Sequence, residues 1–414
     1  MSTPECDKDF EIHIGLPPSR DAELLQLLGE VFGARAAVWA KSMLASHPLS
    51  KREHWVYCTS RSGEIVSCLC LIPQVWLFGS QPIRVGQLEL VATHPGVRRL
   101  GLVRRQMAAF DTLLRRERCV LSCVQGLPNF YSQFGYEYSI PLKGGVAILA
   151  ADLPEHPEAA DSTIRPYRDG DEAAIREIYE ATSQSSFIRS ALSDEIVRYQ
   201  QSQPPDSAHS YTTVVIEKAG KITAYMRLIA NVSKSTLLIR ELGVLQYADF
   251  LVLLNEAKRA AQTQNVPLVS VQMPSSQRTV RAIQLLGGWQ KTPWAWQTKV
   301  VDWLHFFQAI GPLLQSRIAA TWFATWSEEL IFHIIEVGYI RIVFRQGVLA
   351  AIEESPPGLA SARVSSRVLA VLAFGLASLT ELLSRHPDFE VSTGCRPLLD
   401  VLFPELPSFV HEVY

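Results

Sequence analysis

Between Gln87 and Met107 the chain reads QLELVATHPGVRRLGLVRRQM, and no other stretch narrows the choice of fold as much. A buried-type strand runs into a turn of Pro, Gly and Arg. A helix then begins after Gly101, with Leu102, Met107, Phe110, Leu113 and Leu114 at helical spacing. A strand at Val120–Val124 follows, then a short amphipathic segment ending in Phe134-Gly135-Tyr136. Upstream, a helix-period segment at Ala22–Phe32 precedes strand-like Trp55–Cys58, a turn at Arg61–Gly63, and strands at Glu64–Ile72 and Val85–Ala92. The first 150 residues therefore read as a mixed α/β unit.

The chain has 414 residues, a length of roughly three domains at about 100–200 residues each. Ala151–Ser162 (ADLPEHPEAADS) is small, acidic and Pro-containing, as a linker is, and a softer division falls at Thr298–Asp302. The expected domains are 1–150, 163–300 and 301–414. The middle one repeats the order of the first. IRPYRDGD leads into a helix at Glu172–Thr182, then a hairpin at Val214–Ile229 turning at Ala219-Gly220, a strand at Leu238–Leu245, a helix at Phe250–Thr263, a strand at Leu268–Met273 and a helix ending at Leu286-Gly287-Gly288-Trp289. The third has a helix at Trp303–Arg317, alternating strands at Glu329–Glu336, Ile340–Arg345 and Val348–Glu353, and a helical block at Arg363–Leu383. It closes on RPLLDVLFPELPSFVHEVY, too apolar for a solvated terminus.

Composition excludes several classes. A hydrophobic content of 48% supports sizeable cores. No apolar run reaches the ~18–20 residues of a membrane helix; the best, near Val364–Leu383, is broken by Arg367, Ser378 and Thr380. An acidic N-terminus, MSTPECDKDFEIHIG, is unlike a signal peptide, so a cytoplasmic location is expected. A net charge of −2 removes the footprint of a nucleic-acid binder. The seven cysteines have no zinc spacing and read as reduced, packed thiols; no metal is expected.

The basic turn is the first candidate for chemistry. N–H groups at a helix start are unpaired and carry the positive end of the dipole, so they can hold a pyrophosphate. Gly101 allows close approach, and Arg98, Arg99, Arg104 and Arg105 add charge. The same residues also describe a Gly-containing turn before a helix with a solvated basic face. The second candidate is GLPNFYSQFGYEY at Gly126–Tyr138, where Tyr131, taken alone, reads first as a packed core tyrosine.

Together, P-x-x-R-x-x-G-L at Pro95–Leu102 and F-Y-x-x-F-G-Y-E at Phe130–Glu137 resemble the Gcn5-related N-acetyltransferase (GNAT) superfamily. IRPYRDGDEAAIREIY at Ile164–Tyr179 resembles the opening of a second such domain, without an Arg/Gly turn after Leu238–Leu245. The last region resembles a sterol-carrier-like domain, and the whole order is similar to that of the Eis acetyltransferases. That resemblance implies an α/β (α+β) fold: tandem GNAT-like mixed sheets flanked by helices, plus a C-terminal sterol-carrier-like α+β domain. It also implies acetyl-CoA as co-substrate. Val91, Ala92 and Thr93 would pair with the pantetheine arm. Arg98, Arg99, Leu100, Gly101, Leu102, Val103 and Arg104 would wrap the pyrophosphate, and Gly126 and Leu127 would flank the arm. Tyr131 matches the general acid, and the carboxylate of the last residue, Tyr414, matches the base. Val103 stands where many GNAT proteins carry Gly or Ala, and Tyr414 where Phe is usual.

Tyrosine, with an ordinary pKa near 10, suits a thiol leaving group. A terminal carboxylate, near 3.5, is a weak base that burial beside Phe409 and Val413 would strengthen. His94, His411 and His333 read as structural. Glu89 shares a strand face with Val91 and Thr93 if alternation holds, and Glu30 and Trp39 are acceptor-site candidates. Trp289, Trp294, Trp296 and Trp303 are expected to pack a domain interface. No Cys or Ser sits with a base at a recognisable spacing, so direct transfer is expected. The expected activity is acetylation of a primary amine, on an aminoglycoside, a polyamine or similar small molecule, or on a protein lysine. The rival from another class is a non-catalytic acyl-CoA- or lipid-binding protein. The resemblance implies a homo-oligomer, a hexamer being typical; no nucleic acid and no membrane span are expected.

Overall fold

The computed structural model describes residues 9–141, 144–155, 162–231, 235–274, 277–292, 294 and 296–413. Strand β1 (Phe10–Ile14) precedes helices α1 (Asp21–Phe32) and α2 (Ala34–Ser46), then β2 (Trp55–Ser60), β3 (Ile65–Phe78) and β4 (Gln81–Thr93). Helix α3 (Leu102–Arg116) leads to β5 (Leu121–Val124) and, after a crossing segment, β6 (Val146–Leu149). The second half begins with β7 (Ser162–Pro166), α4 (Glu172–Ser183), β8 (Ile188–Ser190) and α5 (Asp194–Gln201). It continues with β9 (Thr212–Lys218), β10 (Lys221–Asn231), β11 (Thr236–Val244), α6 (Tyr247–Thr263), β12 (Leu268–Val271), α7 (Arg278–Leu285), β13 (Trp289–Gln290) and β14 (Gln297–Val300). The last part holds α8 (Trp303–Ala319), β15 (Glu329–Ile334), β16 (Gly338–Arg345), β17 (Val348–Ser355), β18 (Ala362–Val364), α9 (Ser366–Ala373), α10 (Leu379–Arg385), β19 (Glu390–Val391) and α11 (Arg396–Leu402).

These strands make three sheets. The first runs β1-β2-β3-β4-β5-β14, with β8 on the far end of β3, and the second runs β13-β6-β12-β11-β10-β9-β7. Each is antiparallel except at one place, β4–β5 in the first and β11–β12 in the second, where a helix carries the chain between parallel neighbours. The third sheet, β17-β16-β15-β18-β19, packs against α8 to α11.

The two similar sheets exchange a strand. β6 follows the first unit in sequence but pairs with β12 of the second sheet, while β14 follows the second unit but pairs with β5 of the first. Val146–Leu149 and Gln297–Val300 are four residues each, too short for a periodic signal, so the sequence does not disclose the exchange. The β3–β4 hairpin is also longer than its pattern: the pairing runs on to Phe78↔Gln81 through Pro73 and Pro82. Residues 362–364 are a strand rather than the start of the helical block, because Val364 and Ala362 pair in parallel with Ile334 and Phe332. Trp296 and Trp303 are buried in the core between the first and third sheets, whereas Trp289 and Trp294 are exposed. Among the described residues no helix is long and apolar enough to cross a membrane.

Candidate functional site

The site starts from a break in pairing. β4 and β5 pair only from Val85↔Leu121 to Leu88↔Val124, yet β4 continues to Thr93. Between Cys68↔Ala92 and Cys70↔Glu89, three steps along β4 face two along β3, and Leu90 takes φ +50°. This bulge bends β4 away from β5. The two strands splay, and among the described residues no strand pairs with the β5-side edge of residues 89–93.

Next comes the turn. His94 Nδ1 accepts from the Gly96 N–H and starts one helical turn at Pro95–Val97. Arg98 folds back, its Nε donating to the Thr93 carbonyl at 3.2 Å. Arg99 and Gly101 both have positive φ, +67° and +79°. Gly101 is the residue before α3, and a Cβ there would meet no protein atom within 4 Å, so that side of the backbone is open. The first N–H groups of α3 lack helical acceptors and point out of the helix start. Arg98, Arg99 and Arg104 are exposed around them.

The result is a cleft of about 660 Å³ lined by Val91, Thr93, Arg98, Arg99, Gly101, Leu102, Val103, Arg104, Leu127 and Tyr131. All ten were singled out in the sequence. Of the rest, Ala92 is fully buried in the sheet core, Leu100 points to solvent, and Gly126 lies under the Tyr131 ring, where a Cβ would be 2.0 Å from it. Tyr414 lies outside the described residues. Val31, Phe32, Val97, Phe130, Gln133 and Phe134 complete the lining; Val97 falls inside the Pro95–Leu102 motif, Phe130, Gln133 and Phe134 inside the Phe130–Glu137 motif, and Val31 and Phe32 carried no signal beyond helix periodicity. Exposed arginines around an open helix start, beside partly apolar walls, fit a pyrophosphate on an extended arm such as that of acetyl-CoA.

Tyr131 sits deep, 6% exposed, edge-on to Phe130 and Tyr136. Burial raises its pKa above the ordinary tyrosine value, with Glu89's charge adding to the rise, so it stays protonated through the neutral range. A protonated phenol at this depth can supply a proton to a leaving thiolate.

Glu89 departs from expectation. The bulge breaks the alternation, and Glu89 does not line the cleft with Val91 and Thr93. It ends a buried relay instead: Trp76 Nε1 donates to Gln74 Oε1 at 3.0 Å, Gln74 Nε2 to Gln87 Oε1 at 2.8 Å, and Gln87 Nε2 to Glu89 Oε2 at 2.8 Å. Burial pushes the Glu89 carboxyl up to about 7, against its hydrogen bonds from Gln87 and Leu90, and the charge of Glu412 adds to the rise. A carboxyl whose folded pKa lies above its unfolded value is stabilising while protonated, and that contribution is lost as pH rises through about 7. Thermal melts of the wild type should therefore fall, relative to Glu89→Gln, between about pH 5 and 8. Parallel curves would show that Glu89 titrates normally.

The other candidates lie outside this lining. His94 is exposed, 3.9 Å from Glu30. Trp39 is buried against His209, and His333 stacks on Tyr339. His411 lies 3.7 Å from Glu241 on β11. Cys58, Cys68, Cys70, Cys119, Cys123 and Cys395 are unpaired, all but Cys395 buried, and burial pushes the Cys68 thiol up to about 12. Such thiols are poor nucleophiles at neutral pH.

The second sheet has a similar splay: β11 and β12 pair only to Ile239↔Val271 while β11 runs on to Val244. Only Leu245 and Gln246 separate β11 from α6, which leaves no length for a phosphate-wrapping turn. Its cleft, about 610 Å³, is lined partly by the C-terminal tail through Pro407, Phe409 and His411.

Comparison with known proteins agrees with this geometry. A family profile described as "Acetyltransferase (GNAT) domain" matches residues 19–139. No curated protein matches the sequence. Among solved structures, a probable N-acyltransferase from Enterococcus faecalis V583 is 14% identical, with a TM-score of 0.75 over 98% of this chain and 100% of that one. A GCN5-related N-acetyltransferase from Anabaena variabilis is 12% identical, with a TM-score of 0.72 over 97% and 99% of the two chains. Eis1 from Mycobacterium abscessus is 12% identical, with a TM-score of 0.63 over 96% and 98%. The likeness in each case is one of fold and runs the length of the chain. Residues 19–139 thus match a GNAT acetyltransferase domain.

Proposed function

We propose that the chain transfers the acetyl group of acetyl-CoA directly to a primary amine on a small molecule of the aminoglycoside or polyamine kind. The observation that carries this is the cleft, in which an open helix start, an unpaired strand edge and a buried tyrosine converge. Arg98, Arg99 and Arg104, with the N–H groups after Gly101, hold the pyrophosphate. The free edge of Val91–Thr93 pairs with the pantetheine arm, and Gly126 and Leu127 flank it. The amine nitrogen attacks the thioester carbonyl, the C–S bond breaks, and Tyr131 passes its proton to the departing sulfur. The terminal carboxylate of Tyr414 orients the ammonium and takes its proton. What supports this last role is the tail: Val413 is buried in the core formed by α1, α2 and the β2–β4 strands, and Glu412 bonds to Gln125, next to Gly126.

The enzyme works in the cytoplasm as a homo-oligomer, and its third domain is sterol-carrier-like. A sheet covered by four helices, with Phe332 stacked on Phe307 and edge-on to Phe403 in its core, supports that last assignment.

Gly101→Val tests the cofactor site. At φ +79° a branched residue is strained by about 1–2 kcal/mol, and its side chain would occupy the open side where the phosphates approach. Calorimetry should show acetyl-CoA affinity at least tenfold weaker with a melting temperature only slightly lowered. An unchanged affinity means that the pyrophosphate binds elsewhere.

A further inference from the structure

Past the bulge at Leu90, the end of β4 has left β5 and is held from the β3 side. There Cys68 pairs with Ala92 and Ser67 with Thr93, and the His94 N–H donates to the Val66 carbonyl at 2.8 Å. A strand end tied along one edge can twist about that edge. Such a twist would carry Val91–Thr93 away from the start of α3. A second tie comes from side chains.

Ser67 Oγ is at the centre of that tie. It lies 2.8 Å from the Ala92 carbonyl oxygen, 2.9 Å from Thr93 Oγ1 and 2.6 Å from Gln106 Oε1. Ser67 and Gln106 are both 0% exposed. Gln106 is on α3, four residues after Leu102 and three after Val103, so it shares a helix face with those two cleft residues. Thr93 adds a link to the turn itself, because its carbonyl accepts from Arg98 Nε. One buried serine thus joins β3, the last two residues of β4 and the second turn of α3, on both sides of residues 94–101.

The arrangement is not one that packing favours. A hydroxyl has one proton, so Ser67 donates either to the Ala92 carbonyl or to the Gln106 amide oxygen, never to both. Among the described residues nothing pairs with the buried Gln106 Nε2. A buried amide group left unpaired is destabilising, and an apolar side chain of similar shape would fold at least as well. What the amide adds is direction. Hydrogen bonds are directional where apolar burial is not, so this one fixes how α3 slides and tilts against the end of β4.

We propose that Ser67 and Gln106 are positioning residues for acetyl-CoA: they hold the strand edge for its pantetheine arm at a set distance from the helix start for its pyrophosphate. The inference rests on the cofactor placement proposed above. A ligand that spans two subsites gains from both only when their spacing matches its own length. Loss of that spacing weakens the whole ligand, while a fragment that reaches one subsite keeps its contacts.

The test uses the full chain with acetyl-CoA and with ADP, which carries a pyrophosphate but no arm. Gln106→Leu should weaken acetyl-CoA about tenfold by calorimetry. The constant for ADP as a competitor should stay within about twofold of wild type, and the melting temperature should be unchanged or higher. Ser67→Ala should also weaken acetyl-CoA and spare ADP, and the double variant should be no worse than the worse single one. Where Gln106→Leu does not fold, Ser67→Ala carries the two affinity readings. Acetyl-CoA affinity within about twofold of wild type overturns the inference. So does an equal loss for both ligands, or a Gln106→Leu melting temperature that falls together with the affinity, since either marks ordinary packing. The cofactor placement fails separately, if Gly101→Val binds acetyl-CoA as the wild type does or if ADP does not compete with it at all.

Discussion

Tyr131→Phe should lower kcat by about 10²–10⁴-fold, the contribution of a positioned general acid, and leave acetyl-CoA affinity nearly unchanged. The expectation follows from where the ring sits. Tyr131 is buried against Phe130 and Tyr136 and over Gly126, so phenylalanine keeps the packing and removes only the hydroxyl. Burial keeps the phenol protonated at neutral pH, so the wild-type group is always in the donating state. The measurement is steady-state turnover with a thiol-release readout, paired with calorimetric acetyl-CoA binding. A loss below about threefold would return Tyr131 to a packing role. A parallel loss of binding and rate would indicate a collapsed cleft rather than a missing proton.

Extending the chain past Tyr414 by a few residues should depress kcat by a factor of the same order, with fold and acetyl-CoA binding largely retained. Val413 is 1% exposed and Glu412 is held by Gln125 and Arg240, so the tail is docked up to Val413. Burying one such apolar side chain is worth about 1.5–3 kcal/mol. The extension converts the carboxylate of Tyr414 into a peptide bond while the tail up to Val413 keeps its contacts. Equal turnover by tagged and untagged protein would exclude the terminal carboxylate and direct attention to Glu89, whose carboxyl already titrates near neutrality.

The parts of this molecule that were legible in the sequence are those with a local cause. The basic turn, the Gly101 helix start, the Tyr131 segment and the Ala219-Gly220 hairpin each depend on a few adjacent residues, and each lies where expected. Long-range features were not legible. The β6 and β14 exchange joins residues about 120–180 positions apart through four-residue strands. The bulge at Leu90, which opens the cleft and turns Glu89 out of its lining, leaves no trace in QLELVAT because a positive φ at a leucine is imposed by tertiary packing. The apolar tail was recognised as packed, but its path through three cores, and the Arg240–Glu412–Gln125 contacts, depend on partners that only folding brings together.

The central claim is acetyl transfer from acetyl-CoA to an amine, with the acid in the first domain. Its most direct test is release of free CoA thiol from acetyl-CoA, by wild type and Tyr131→Phe, against a panel of spermidine, an aminoglycoside and a lysine-containing peptide. The account predicts amine-dependent release with the spermidine or aminoglycoside arm, carrying the acetyl group on that amine by mass, and nearly absent in Tyr131→Phe. Acetyl-CoA binding without amine-dependent release by any acceptor, or release unaffected by the substitution, would contradict it.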